Sequence, residues 1–245
     1  MSVPRQVLSG STYLVTRSCT QRPFWLETPA LTNPIVAYCI AYAATLTGVE
    51  LHALCVLSNH WHAVLTDPEG RLPECMHWAH EHIARCINAS YGRREAMWSS
   101  SPPSAVRLEH DADVLDEIAY TRANPVSAGR VERGNPWPGL RTAPRDVAGC
   151  TKRIARPRVF FRDDGPMPDH VELRIVRPRI YESRSDRQLG QLVQAAVDER
   201  EAAARAAIRR EGRSFLGGRA IRAQRPSDRP RDAEPRRGLN PRVAA

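Results

Sequence analysis

Val49-Glu50-Leu51-His52-Ala53-Leu54-Cys55-Val56-Leu57-Ser58-Asn59-His60-Trp61-His62-Ala63-Val64-Leu65-Thr66 reads as two strands joined by the short Ser58-Asn59 turn. Both arms are apolar and rich in strand formers, so an antiparallel hairpin is expected. Side chains alternate across a strand, which puts His60 and His62 on one face and Trp61 on the other. Two imidazoles on one strand face can grip a divalent metal while the indole anchors the opposite face in a core. His-x-His also occurs in strands by chance, and this stretch alone does not separate the two readings.

Working outward, Ser11–Thr20 reads as a first strand and 21–28 as a loop. A helix is expected over Asn33–Thr47, with Pro34 at its first position and Gly48 as its stop. After Pro68-Glu69-Gly70 a second helix runs from Leu72 to Ser90, and the sheet needs a further strand, placed within 99–108. A third helix opens near Asp111, with Asp111, Asp113, Asp116 and Glu117 suiting the dipole of its early turns, and ends near Asn124-Pro125. Residues 135–156 read as loop, Val159–Phe161 and Val171–Val176 as short strands, and Asp186–Arg213 as a charged helix. Beyond Gly217 the Arg- and Pro-rich composition predicts disorder. The order implies an α+β layer, an antiparallel sheet with helices on one face. It also predicts three segments: a core domain over 1–145, a basic appended segment with a long helix over 146–216, and a disordered tail over 217–245.

Charge is unevenly spread along the chain. The 36 basic and 27 acidic residues give a net +9, but residues 1–150 carry 13 arginines against 14 carboxylates, and residues 151–245 carry 23 cations against 13. Lys152 is the sole lysine. Guanidinium groups bind phosphate in bidentate fashion, which points to a polyanionic partner; a basic tail that merely aids solubility fits the same numbers. No apolar run approaches the roughly 20 residues of a membrane helix, and the start lacks a signal-peptide core. The six cysteines are scattered without a Cys-x-x-Cys pair, the pattern of reduced thiols in a cytoplasmic protein.

Tyr120 and Asn124 lie four apart on the third helix and so share a face. A phenol can act as a nucleophile, and an amide oxygen can be a third ligand for a hard divalent ion. A core tyrosine followed by an asparagine cap before Pro125 reads the same pattern without chemistry.

Taken together, Asn59-His60-Trp61-His62 followed about 60 residues later by Tyr120, Asn124, Pro125, Val126, Ala128, Gly129 and Val131 resembles the single-tyrosine HUH transposases, and more narrowly their REP-associated tyrosine transposase branch. Thr12–Arg17 resembles that family's first strand and Val49–Ala53 its second, so the resemblance spans about 8–140. It implies a ferredoxin-like or RRM-like sheet. It also implies that His60, His62 and Asn124 hold one Mg²⁺ or Mn²⁺, and that Tyr120 attacks single-stranded or hairpin DNA to form a 5′-phosphotyrosine. Thr121-Arg122 departs from the family pattern, and a homodimer with the tyrosine acting in cis or in trans is open. Arg17, Arg93, Arg94 and Arg122 are candidate DNA contacts.

Other groups carry weaker signals. His77, His80 and His82 point to different helix faces, as solvated helix residues do; His52 reads as a satisfied core histidine. Trp98 and Trp137 read as packing residues that could also stack on bases. Two other functions compete with a transposase: a DNA-binding regulator of the same fold with an inactive or domesticated site, and a metal-dependent hydrolase without covalent chemistry. The hydrolase would need no tyrosine four residues before the asparagine.

Overall fold

The computed structural model describes residues 7–230. The central hairpin forms as expected: β2 (Glu50–Val56) pairs antiparallel with β3 (His60–Asp67). β1 (Ser11–Ser18) lies on the other side of β3, and β4 (Ser104–Leu108) on the outer side of β1. With α1 (Pro29–Thr47) and α2 (Leu72–Ser90) this is βαββαβ with strand order 4-1-3-2, the ferredoxin-like arrangement. The sheet then continues beyond β2 to β6 (His170–Ile175) and β5 (Cys150–Ala155).

Trp61 is fully buried with Val15, Leu51, Leu65, Ile35 and Ile83, where α1 and α2 cover one face of the sheet. The opposite face carries Ala53 and Val64, which pack against Val114, Ile118 and Ala119 of α3 (Asp111–Ser127). Leu189, Val193 and Val197 of α4 (Asp186–Arg210) close that second layer. The expected single helical face holds for α1 and α2, and the sheet gains a second helical layer. The physical cause is residual apolar surface: Ala53 and Val64 point away from Trp61 by strand alternation and still have to be covered.

The antiparallel sheet likewise gains a parallel edge, because β6 joins β2 in parallel, with Val176 N–H donating to Leu51 O at 2.7 Å. β5 arises within 135–156, expected to be loop, whereas Val159–Phe161, expected as a strand, is irregular, with Phe160 at φ +70°. Alternation is clear in β6, where Val171, Leu173 and Ile175 are buried, and weak in β5, whose Thr151, Lys152 and Arg153 are all exposed. The first helix begins at Pro29 rather than Asn33, which leaves Pro34 inside it, and Gly48 ends it with φ +72°. This helix is 19 residues long and apolar enough to cross a membrane by composition, contrary to the sequence expectation; here it is a core helix, with Ile35, Val36, Tyr38 and Cys39 buried. Of the tail beginning at 217, α5 (Gly217–Arg222) seats Ile221 against Leu57 and Val131, and Phe24 N–H donates to Asp228 O. Residues 231–245, the rest of the expected disordered tail, lie outside the described residues. All six cysteines are free thiols, five of them buried.

Two histidines show how the core handles imidazole. His52 sits where the β2–β3 register shifts between Leu51 and Ala53. Its Nδ1–H donates to Val176 O at 2.7 Å and its Nε2 accepts from the Thr66 hydroxyl at 2.8 Å, a satisfied core residue as the sequence suggested. His80 differs from its expected solvated state: it is buried between Trp61 and Trp98, each 5.4 Å away between ring centroids. Burial pushes its pKa down to about 3, so the fold accepts only the neutral ring. In the unfolded chain the same ring takes a proton near its ordinary value of 6.5. The unfolded state therefore binds more protons at acid pH, and the stability, complete above 6.5, drains as pH falls towards 3. Urea melts from pH 6 to pH 4 are expected to lose stability on the order of 1 kcal/mol per pH unit through this group. His80→Leu should flatten the profile by that amount, and an unchanged slope would refute the assignment.

Candidate functional site

The site is assembled by the face of the sheet that Trp61 does not occupy. Across that face the register lines up Ser104, Thr16, His62 and Cys55, one from each of β4, β1, β3 and β2. His60 stands two residues along β3, its ring 4.9 Å from that of His62 in an edge-on arrangement. α3 lies over this row and delivers Tyr120 and Asn124 one turn apart. The Tyr120 ring sits 5.4 Å from His62, interplanar angle 81°, and Asn124 Nδ2 lies 3.2 Å from His62 Nε2. Strand alternation and the four-residue helical period thus bring His60, His62, Tyr120 and Asn124 together within one chain.

The hydrogen bonds set the tautomers. Asn59 Nδ2 donates to Arg22 O at 3.0 Å, which turns its oxygen to His60; that oxygen can only accept, so His60 Nδ1 carries the proton at 2.6 Å. Asn124 Nδ2–H donates to His62 Nε2, so His62 Nδ1 is the protonated nitrogen and donates to Thr16 Oγ1 at 2.8 Å. Both rings therefore spend Nδ1–H on protein oxygens and carry an unprotonated Nε2, that of His62 accepting from the Asn124 amide. His60 is held neutral besides: burial, then the Arg22 and Arg130 guanidiniums, push its pKa down to about 3.

Arg22 and Arg130 reach His60 by strained or turned backbone. Gln21 and Arg22 are both left-handed, at φ +54° and +57°, a costly conformation for side-chain-bearing residues. Gly129, φ +65°, ends α3 and turns the chain so that the Arg130 guanidinium lies 5.3 Å from the Phe24 ring centre. A third arginine, Arg200 of α4, lies 5.8 Å from the centre of the Tyr120 ring. Sequence reading missed Thr16, Arg22, Arg130 and Arg200. The only available signal was the register partner of His62, for Thr16, and the Gly129-Arg130 turn; nothing in the sequence places α4 against Tyr120.

The four candidate DNA contacts fare differently. Arg17 pairs in register with Trp61, which puts it on the α1–α2 face, away from the histidines, with its guanidinium 5.8 Å from the Trp98 ring centre. Arg93 lies 3.7 Å over the Trp25 ring, also on that side, and Arg94 is exposed in the turn after α2. Arg122 is corrected outright. It is 1% exposed, its Nε and Nη1 lack hydrogen-bond partners, and burial with the neighbouring Arg141 pushes its pKa down to about 9. Two positions past Tyr120, the helix turns it inward, out of reach of a phosphate. Trp98 and Trp137 are packing residues whose indole N–H groups donate to His80 O and Val56 O.

Fold and site define an α+β protein with a ferredoxin-like core, a pair of strand imidazoles and a helix-borne tyrosine beside them. In three dimensions the chain is similar to the solved structure of a REP-associated tyrosine transposase bound to a REP hairpin, with 20% sequence identity and a TM-score of 0.51 over 60% of this chain and 86% of that one. The likeness is one of fold, and it falls on the family that the sequence motifs resemble. No family model and no curated protein matches the sequence.

Proposed function

We propose that the protein is a metal-dependent, single-tyrosine DNA strand transferase: a transposase or endonuclease that cleaves and rejoins hairpin-bearing single-stranded DNA through Tyr120. The observation that carries this reading is the convergence of His62, Asn124 and Tyr120 beside His60. The fold likeness to a hairpin-bound transposase and the surplus of arginine support a DNA partner.

The donor set fits a hard or borderline divalent ion such as Mg²⁺ or Mn²⁺. His60 Nε2 and His62 Nε2 are lone-pair ends whose opposite nitrogens are held by Asn59 and Thr16, the usual support of ligating histidines. The Asn124 amide that donates to His62 carries its oxygen on the same carbon, and an amide oxygen is a suitable third ligand. Among the described residues no group of three or more His, Cys, Asp or Glu could hold a metal, so this mixed set is the candidate. A bound divalent ion would polarise the scissile phosphate and stabilise charge on its oxygens.

The chain's own residues do the rest. The Tyr120 oxygen attacks phosphorus, the P–O3′ bond breaks, and the departing 3′-oxygen takes up a proton while the tyrosine's proton passes to solvent. The DNA 5′-phosphate is left on Tyr120. Attack by another 3′-hydroxyl reverses these bond changes and returns the tyrosine, with no external energy source. Arg22 and Arg130 at the His60 end offer positive charge for the DNA backbone.

The decisive test is incubation with hairpin-bearing single-stranded DNA and Mg²⁺ or Mn²⁺, followed by denaturing gels. A covalent protein–DNA adduct is expected, lost on chelation; no adduct with any hairpin substrate under either metal would reject the reading. A finer test concerns Thr16. Thr16→Val keeps the shape but removes the acceptor of His62 Nδ1–H, and Mn²⁺ affinity by titration calorimetry is expected to fall about 10- to 100-fold. An affinity within about two-fold of native would exclude that orienting role.

A further inference from the structure

We infer that Arg200 of α4 is a positioning residue for Tyr120, holding the phenol in its attack orientation against His62. This rests on the proposed role of Tyr120 and extends the working site to a helix the sequence motifs do not include.

Arg200 is fixed before it reaches the tyrosine. Its Nε donates to Asp116 Oδ1 at 3.1 Å and its Nη2 pairs with Asp116 Oδ2, a two-point ion pair between α4 and the turn of α3 preceding Tyr120. The next residue, Glu201, is buried and accepts from Gly134 N–H at 3.1 Å, which sets the rotation of α4 at this turn. With its fork spent on Asp116, the guanidinium lies 5.8 Å from the Tyr120 ring centre, within cation–π range. The edge-on His62 ring meets the phenol as well, so the tyrosine is seated by both groups.

A second acid on α3 adds to the case. Glu117, half-buried one turn before Tyr120, has an Oε2 with no hydrogen-bond partner. Burial raises its pKa, and the Arg200 charge is the largest influence in the other direction. Arg200 is thus the cation facing Asp116, Glu117 and Tyr120 from α4. When the phosphotyrosine is resolved, the P–O bond to Tyr120 breaks and its electron pair stays on the tyrosine oxygen. A fixed guanidinium beside the ring favours that charge without reorganising.

The test uses the full chain in two arms. In the first, Arg200→Gln and Arg200→Lys are compared in adduct formation. At saturating hairpin DNA the Gln variant is expected to slow by on the order of 10-fold, since small misplacements of a reacting group are costly. The half-saturating DNA concentration should stay within about two-fold. The Lys variant, which keeps charge but loses the fork, should fall between. In the second arm, 3-fluorotyrosine is placed at position 120 and its ¹⁹F resonance is read without metal or DNA. Arg200→Gln should shift or split the line, and Arg200→Gln with Asp116→Asn should match Arg200→Gln alone, because Asp116 acts through Arg200. Arg187→Gln, on an exposed part of α4, should leave it unmoved. An unchanged rate with an unchanged resonance overturns the inference. So does a raised half-saturating concentration with an unchanged rate, which would make Arg200 a DNA contact. If the native protein forms no adduct, the proposed function fails and the ¹⁹F arm alone decides the positioning role.

Discussion

Tyr120→Phe is expected to abolish the covalent protein–DNA adduct, with strand cleavage falling by at least on the order of 10³-fold, while DNA binding stays within about two-fold of native. The change removes one oxygen and keeps the ring. The ring is what meets His62 at 5.4 Å and the Arg200 guanidinium at 5.8 Å, so the site should retain its shape. Losing a nucleophile eliminates the covalent route altogether, which is why the effect exceeds that of any orienting residue. Denaturing gels of end-labelled hairpin DNA separate the outcomes. Cleavage that persists in Tyr120→Phe would remove the tyrosine as nucleophile and favour a hydrolase using the histidines alone.

The second large effect is expected from His62→Ala, with metal-dependent cleavage lower by on the order of 10²- to 10³-fold and Mn²⁺ binding lost in calorimetry. Within the site His62 is the hub: Thr16 holds one nitrogen, Asn124 meets the other, and its ring packs on those of His60 and Tyr120. Truncation removes a proposed ligand and leaves the Thr16 and Asn124 polar groups without their shared partner, with His62 and Asn124 both buried. Because some stability is lost as well, His62→Gln serves as the check: it refills the space, and its cleavage should remain depressed. Native cleavage in His62→Ala would sink the metal-ligand role. His60→Ala tests the other half of the set, and unaltered Mn²⁺ binding there would leave His62 and Asn124 without their partner ligand.

Much of this arrangement is legible in the residues themselves. Alternation over 49–66 settles the hairpin and sends Trp61 to the core and the histidines to the other face, because a strand has only two faces. The four-residue spacing of Tyr120 and Asn124 makes them neighbours once 111–127 is helical. Harder to read is Pro125, which invites a stop near 124, yet the helix runs to Ser127. Proline's ring conflicts with the turn before it, and three buried neighbours, Ala123, Asn124 and Val126, hold the helix together there. Similarly, 150–155 carries little strand signal of its own, since β5 takes its place by pairing with β6 and its side chains remain largely exposed.

Arg122 and Arg200 mark the boundary between the two kinds of information. In sequence both are arginines in helices of mixed polarity, equally fit to meet a phosphate. Only packing separates them: one is turned inward to 1% exposure, and the other is brought across 80 residues of chain onto the tyrosine. Periodicity is a local property, so residue order alone was enough for the β2–β3 hairpin, the helix over Tyr120 and Asn124, and the faces on which His60, His62, Tyr120 and Asn124 stand. Which faces meet depends on how the leftover apolar surface of the sheet is covered. That long-range choice, made by α3 and α4 over Ala53 and Val64, closed the site and was decided by the tertiary structure alone.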